Sequence, residues 1–210
     1  MPWSSSSMRS TTLIGRHAAL VPLELSQADD LVAAVQDGEL WKLWYTSVPE
    51  PSLMAHEISR RLALRDKGSM TPFAVMDMRE NVPTHGKLIG MTTYMNIDAP
   101  NRRLEIGSTW YAKSVQRSAI NTECKMMLLT HAFEPLNAIA VEFRTHWFNQ
   151  QSRAAIERLG AKLDGVLRNH QINVHPDAKG TLRDTCVYSI IKDEWPAAKA
   201  HLTYRLGKSD

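Results

Sequence analysis

Ile106-Gly107-Ser108-Thr109-Trp110-Tyr111-Ala112-Lys113-Ser114-Val115-Gln116-Arg117-Ser118-Ala119-Ile120-Asn121-Thr122 is where the reading of this chain turns. Leu104, Ile106, Ser108 and Trp110 alternate onto one face of an extended run from Leu104 to Ala112. A short polar turn of small residues follows. A long helix then runs from about Ala119 to Phe133, apolar at Ile120, Cys124, Met127, Leu128, Leu129, Ala132 and Phe133. A stripe that wide belongs to a helix covered on much of its circumference. The first turn of a helix carries unpaired N–H groups and a partial positive charge. Small side chains there let an anion approach the amides, and Arg117 adds a full charge beside them. The chemistry suggested is phosphate or diphosphate binding. The plainer alternative is a helix start capped by Ser114 or Ser118, with water on the amides. No Gly-x-x-x-x-Gly-Lys-Ser/Thr and no Gly-x-Gly-x-x-Gly occurs, so neither a P-loop nor a dinucleotide fingerprint is present.

Outward from this stretch, periodicity gives the other elements. His17 to Leu23 reads as a short strand whose Pro22 suits an edge. Ser26 is the expected cap of a first helix bearing Leu31, Val32 and Val35. Glu39 to Trp44 is a short helical piece. Pro51-Ser52 opens a longer helix in which Met54, Ile58 and Leu62 recur, with Arg60, Arg61, Arg65 and Lys67 on the wet side or last turn and Gly68 as the stop. Pro72 to Met76 and Lys87 to Met95 are strands. After the central helix come a strand from Ala138 to Trp147, a helix from Asn149 to Leu159, a hairpin of Leu163 to Val174 with Leu182 to Ile191, and a last helix ending near Leu206. The simplest packing is one α+β domain over residues 13–210, with a mixed sheet of about seven strands, behind a flexible Ser-rich tail at residues 1–12. The last helix, with Trp195, Leu202, Tyr204 and Leu206, offers an apolar surface to the domain or to a second copy in a homodimer.

Composition narrows the function. The chain has 210 residues, with 25 Lys+Arg against 22 Asp+Glu, a formal charge of +3. Charge this balanced does not call for a nucleic-acid partner. No window approaches the length of apolar sequence that a membrane span needs, and the first ten residues lack the apolar core of a signal peptide. A cytoplasmic protein without a membrane partner is expected. Cys124 and Cys186 sit in apolar runs outside any Cys-x-x-Cys spacing, so neither a disulfide framework nor a metal site is supported.

Gln116-Arg117-Ser118-Ala119-Ile120-Asn121 resembles motif A of the GNAT superfamily of acetyl-CoA-dependent N-acetyltransferases, whose loop reads Gln/Arg-x-x-Gly-x-Gly/Ala. Ala119 and Asn121 stand where that pattern has its two small residues. Asn149-Gln150-Gln151-Ser152-Arg153-Ala154-Ala155-Ile156-Glu157-Arg158-Leu159-Gly160-Ala161 is similar to a signature of the branch that includes the ribosomal-protein N-terminal (alanine/serine) acetyltransferases. Leu163 to Arg168 and Arg183 to Ile190 also match, so the resemblance runs from about Leu13 to Ile191. It implies a sheet splayed in the middle, with the acetyl-pantetheine arm in the gap. It implies acetyl-CoA as co-substrate and an amine acceptor, such as a protein N-terminus. The diphosphate is then expected on the amides of Ser118, Ala119, Ile120, Asn121 and Thr122, assisted by Gln116 and Arg117.

The resemblance also assigns roles. Backbone amides at a strand bulge are expected at Trp110, Tyr111 and Ala112, facing the thioester carbonyl. Asn149 is expected to face the coenzyme arm, although Asn is equally a plain helix cap. Ser152 is the expected acid for the leaving thiolate. The branch carries a carboxylate at the position of Gln171, and Gln cannot act as a base. The alternatives are His170, since imidazole is the usual side chain for proton transfer near neutral pH, and Glu105, which could instead be held by Arg102 or Arg103. The third alternative is loss of the proton to water, with no dedicated base. Trp41, Trp44 and Tyr45 fall where this fold builds one wall of the acceptor site, and read equally as core. A catalytically weakened acyl-CoA-binding module is the competing reading.

Overall fold

The computed structural model describes Trp3 and residues 11–208, so most of the expected tail lies outside the described residues. Eight strands form one sheet in the order β1-β2-β3-β4-β5-β6-β8-β7. They are β1 (Leu13–Ile14), β2 (Ala18–Pro22), β3 (Met70–Asp77), β4 (Leu88–Asp98), β5 (Arg103–Tyr111), β6 (Ala140–His146), β7 (Lys162–Ile172) and β8 (Leu182–Ile191). The strand beyond the expected seven is β1, two residues long, too short to leave a periodic signal. Every pairing is antiparallel except β5 with β6.

Among the described residues five α-helices flank the sheet: α1 (Ala28–Gln36), α2 (Met54–Asp66), α3 (Ala119–Phe133), α4 (Gln150–Glu157) and α5 (Trp195–Leu206). Thr92 and Thr93 are neighbours on β4, so their side chains leave opposite faces of the sheet. Thr93 meets α2 and Thr92 meets α3, which places these two helices on opposite faces. Leu104, Ile106, Val141 and Phe143 are buried in the core that α3 covers. The expected surface for α5 is α3 itself: the Trp195 ring stacks on Phe133 at 5.2 Å, and its indole N–H donates to Glu134 at 3.1 Å.

Local signals were correct at several ends. Gly68 has φ +76 and ends α2, where its N–H donates to the Arg65 carbonyl. Ser26 does not cap α1. Its hydroxyl donates to Glu24, and Glu24 with Gln27 forms the reciprocal capping box around a preceding 3₁₀ turn. The expected helix at Glu39 to Trp44 is a 3₁₀ turn over Leu40–Lys42.

One buried carboxylate joins the sheet edge to the central helix. Glu123 on α3 accepts the N–H groups of Arg16, His17 and Ala18 at 2.9, 2.6 and 2.8 Å. Those donors form the β1–β2 turn, which has little apolar area to hold it. Replacing Glu123 with Ala removes the acceptor of the buried Ala18 N–H and of the part-buried Arg16 and His17 N–H groups. The expected cost is about 3 kcal/mol, read as a lower midpoint in urea unfolding.

Candidate active site

The site begins where two strands part. β5 and β6 register only as Arg103 with Ala140, Leu104 with Val141 and Glu105 with Glu142. Beyond that joint β6 stays with β8 to His146, while β5 stays with β4. The two prongs therefore diverge, as the sequence resemblance implied. β5 carries a bulge where Ser108 and Thr109 fall between the pairs Gly107 with Thr93 and Trp110 with Met91. Ser108 takes φ +47 there. The bulge was expected at Trp110 to Ala112. Instead Trp110 and Tyr111 are back in register with Met91 and Gly90. Gly90 permits this close approach, since a Cβ on it would lie 2.1 Å from the Trp110 carbonyl oxygen.

The turn into α3 opens on a side-chain cap. Ser118 is the N-cap, not Ser114: its Oγ accepts the Ile120 N–H at 3.4 Å and donates to the Val115 carbonyl at 2.6 Å. The Ser114 N–H is taken by Asp37. Helix geometry leaves the N–H groups of Ala119 and Asn121 without intrahelical acceptors. Arg117 is exposed, at φ +59, directly before the cap. Ile120 is buried, and Asn121 and Thr122 are half-buried. Gln116 does not present its amide to this turn. Its Nε2 donates to the Tyr111 carbonyl at 3.0 Å and so ties the turn to the end of β5.

At the end of the other prong, Asn149 caps α4, its Oδ1 accepting the Ser152 N–H at 3.0 Å. Ser152 lies half-buried in that first turn. His146 ends β6 and was not singled out in the sequence. It is buried, and its Nδ1 accepts the Phe148 N–H at 3.1 Å, which puts the neutral ring's proton on Nε2. Burial pushes its pKa down. His146 Nε2 and Trp110 Nε1 are both buried with no hydrogen-bond partner among the described residues. Trp44 sets its ring edge-on to His146 at 4.9 Å, beside Tyr45 and Phe148. Trp41 is reached from the β7–β8 loop, where its carbonyl meets His175 Nε2 at 3.3 Å. The aromatic segment thus stands at the open end of the fork.

Glu105 lies at the joint, 5% exposed. Neither Arg102 nor Arg103 holds it. Arg103 pairs with Glu142 at 2.6 Å, while Glu105 accepts from Asn96 Nδ2 at 2.8 Å and lies 3.6 Å from Arg144. The parallel register sets Glu142 directly beside Glu105, and Arg144 is shared between the two carboxylates. Burial pushes the Glu105 carboxyl up, against the Asn96 hydrogen bond and the Arg144 charge. A cleft of about 170 Å³ opens beside it, lined by Asn96, Asp98, Arg103, Glu142 and Arg144. His170 lies away from this joint on exposed β7, with Nδ1 3.0 Å from the Thr185 hydroxyl. Gln171 is exposed on the same strand. Among the described residues no cluster of His, Cys, Asp or Glu is arranged to hold a metal.

Two buried cations were missed by the sequence reading. Arg61 was placed on the wet side of α2 but is 1% exposed. Met54, Ile58 and Arg61 share the spacing of one helical face, which was the available signal. Its Nη1 donates to the Thr93 hydroxyl at 2.7 Å and the Ser108 carbonyl at 3.2 Å, and its Nε to Glu57 at 2.7 Å. Lys125 interrupts the apolar stripe of α3. Its Nζ donates to the hydroxyls of Thr109 at 2.7 Å and Thr92 at 3.3 Å. Burial pushes this lysine down to about 8. Below pH 8 the folded chain bears the whole cost of the buried charge. Between pH 8 and the ordinary value of 10.5 the folded lysine is neutral while the unfolded one stays protonated, so stability rises with pH. Lys125→Met should therefore gain up to about 3 kcal/mol at pH 7 and abolish that rise, as measured by unfolding at a series of pH values.

A mixed sheet that forks beside the N-terminus of its central helix defines the class. Residues 18–162 match the acetyltransferase (GNAT) domain family, more than half of the chain, and the chain belongs to that family. It is 35% identical over 114 residues to "Putative ribosomal N-acetyltransferase YdaF" of Bacillus subtilis (strain 168). That match covers 54% of this chain and 59% of the relative's length. Among solved structures, a GCN5-related N-acetyltransferase from Brucella melitensis is 27% identical at TM-score 0.79, over 94% of this chain and 86% of that one. Mycobacterium smegmatis RimJ, solved in complex with CoA-disulfide, shares the fold at TM-score 0.77 and 21% identity, over 95% and 96%. Among the described residues no helix is long and apolar enough to cross a membrane.

Proposed function

We propose that this chain transfers an acetyl group from acetyl-CoA to a primary amine, by direct attack in a ternary complex. The fork between β5 and β6, opening beside the capped start of α3, carries this reading. The diphosphate rests on the first-turn amides from Ser118 to Thr122, with Ala119 and Asn121 as the open donors and Arg117 as the nearby charge. Gln116 contributes by bracing the turn. The pantetheine arm lies between the prongs, past Trp110, Tyr111 and Ala112 on one side and Asn149 on the other. Its amides suit strand edges that have lost each other as partners.

Glu105 is the base for the acceptor ammonium. Its raised pKa brings a carboxylate nearer the working range of a general base. The amine nitrogen attacks the thioester carbon and gives up its second proton as the C–S bond breaks, and the Ser152 hydroxyl passes its own proton to the thiolate while taking that one in return. His170, hydrogen-bonded to Thr185 and exposed, is the second candidate for proton transfer. The acceptor enters by the side lined by Trp44, Tyr45 and Phe148, and is a protein N-terminus or a small amine. The likeness to the ribosomal N-acetyltransferase supports the former. We place the activity in residues 13–210 as one domain, in the cytoplasm, as a monomer or homodimer. The second reading, an acyl-CoA binder with weakened turnover, is favoured by the exposed Gln171, where a base would be expected.

Arg117→Glu should weaken acetyl-CoA binding more than about tenfold by calorimetry. Unchanged affinity would remove the diphosphate from this turn. Glu105→Gln should lower kcat about 100-fold in thiol-release assays with amine and peptide acceptors. In the unaltered chain kcat should rise with pH as Glu105 loses its proton, and that limb should vanish in the variant. Coenzyme binding with no thiol release for any acceptor would favour the binder.

A further inference from the structure

The bulge in β5 is held from both faces of the sheet. Arg61 reaches it from α2, spanning Thr93 and the Ser108 carbonyl. Lys125 reaches it from α3, bonded to Thr109 and Thr92, whose hydroxyls are themselves 2.8 Å apart. Lys125 has two threonine hydroxyls as its partners rather than a carboxylate. A sheet does not need such a residue to pair β4 with β5, since an apolar side chain of that size fills the space at lower cost. Its placement makes sense if the backbone geometry of residues 108–109 matters for itself.

That geometry has a direction. The Ser108 carbonyl turns toward Arg61, which comes from α2 and so lies over the face of the sheet that the Thr93 side chain enters. A peptide unit is planar and trans. The N–H of Thr109 therefore points away from Arg61, in the part of β5 that has no β6 pairing beside it. We propose that Arg61 and Lys125 are positioning residues that clamp this peptide and aim the Thr109 N–H at the thioester carbonyl oxygen in the fork. This rests on the acetyl-CoA reading above. Arg61 sets the carbonyl end of the peptide, and Lys125 holds the Thr109 side chain beside its nitrogen end. Neither touches the reactants. A fixed donor aimed at a developing oxyanion contributes about 10²–10³ in kcat.

The test needs no acceptor. Acetyl-CoA labelled with ¹³C at the thioester carbonyl is bound to the full chain, and its carbonyl stretch is recorded by isotope-edited infrared spectroscopy. The expected result is a lowered frequency relative to free acetyl-CoA. In Lys125→Met and Arg61→Met the frequency returns toward the free value, while calorimetric affinity stays within about threefold, because the diphosphate site is elsewhere. Thr109→Val, which removes the hydroxyl contacts to Lys125, Thr92 and the Gly107 carbonyl and leaves both cations in place, should shift the band in the same direction and decides the matter should Arg61→Met fail to fold. An unaltered chain that binds acetyl-CoA without a shift, or variants that bind and keep the full shift, overturns the clamp alone. An unaltered chain that does not bind acetyl-CoA overturns the functional reading with it.

Discussion

The structure depends on how little joins β5 to β6. Each strand has a long antiparallel partner of its own, β4 on one side and β8 on the other, and they share only three residue pairs. The sheet is thus two curved halves hinged at Arg103–Glu105 and Ala140–Glu142. Sheets twist, so two halves joined at one end separate toward the other. Past the joint, the facing edges cannot pair with each other. A wedge lined by peptide groups suits a narrow, amide-bearing ligand better than an apolar one.

Charge at the hinge follows from the same pairing. A parallel register with Glu105 opposite Glu142 sets two carboxylates side by side. Arg103 and Arg144 bind mainly to Glu142, at 2.6 and 2.9 Å, and Glu105 is left with Asn96 and the more distant edge of Arg144. Full pairing of Glu105 would hold its pKa low and leave it a poor base. The partial pairing seen keeps it buried, anchored and raised, so the hinge that opens the sheet also tunes the carboxylate beside the opening.

Stability and function pull apart around the bulge. Lys125 is buried at a cost that grows as pH falls from the ordinary lysine value toward its lowered pKa and is borne in full below it, and Arg61 is desolvated on the opposite face. Elsewhere the chain satisfies its buried charges closely, as Glu123 does with three backbone donors. The expensive groups converge on Ser108 and Thr109, in a strand whose neighbour has just left.

The order of the main elements, a serine cap at either Ser114 or Ser118, the cap at Asn149 and the stop at Gly68 were legible in the sequence. Each depends on side chains within a few residues of the backbone they serve. The family resemblance likewise rested on contiguous runs. Other features depended on which strand lies beside which, and in what register. Arg61 reads as a surface arginine until Thr93 and the Ser108 carbonyl are brought against it from 32 and 47 residues away. Glu105 sits two residues from Arg103, yet their side chains do not pair, because Glu142 on β6 takes the arginine. The bulge moved to Ser108 because Trp110 and Tyr111 had register partners on β4 that no local pattern announces. Sequence alone determined what each segment forms, since those energies are short-range. Tertiary structure decided which charge meets which, since that is set by the alignment of segments distant along the chain.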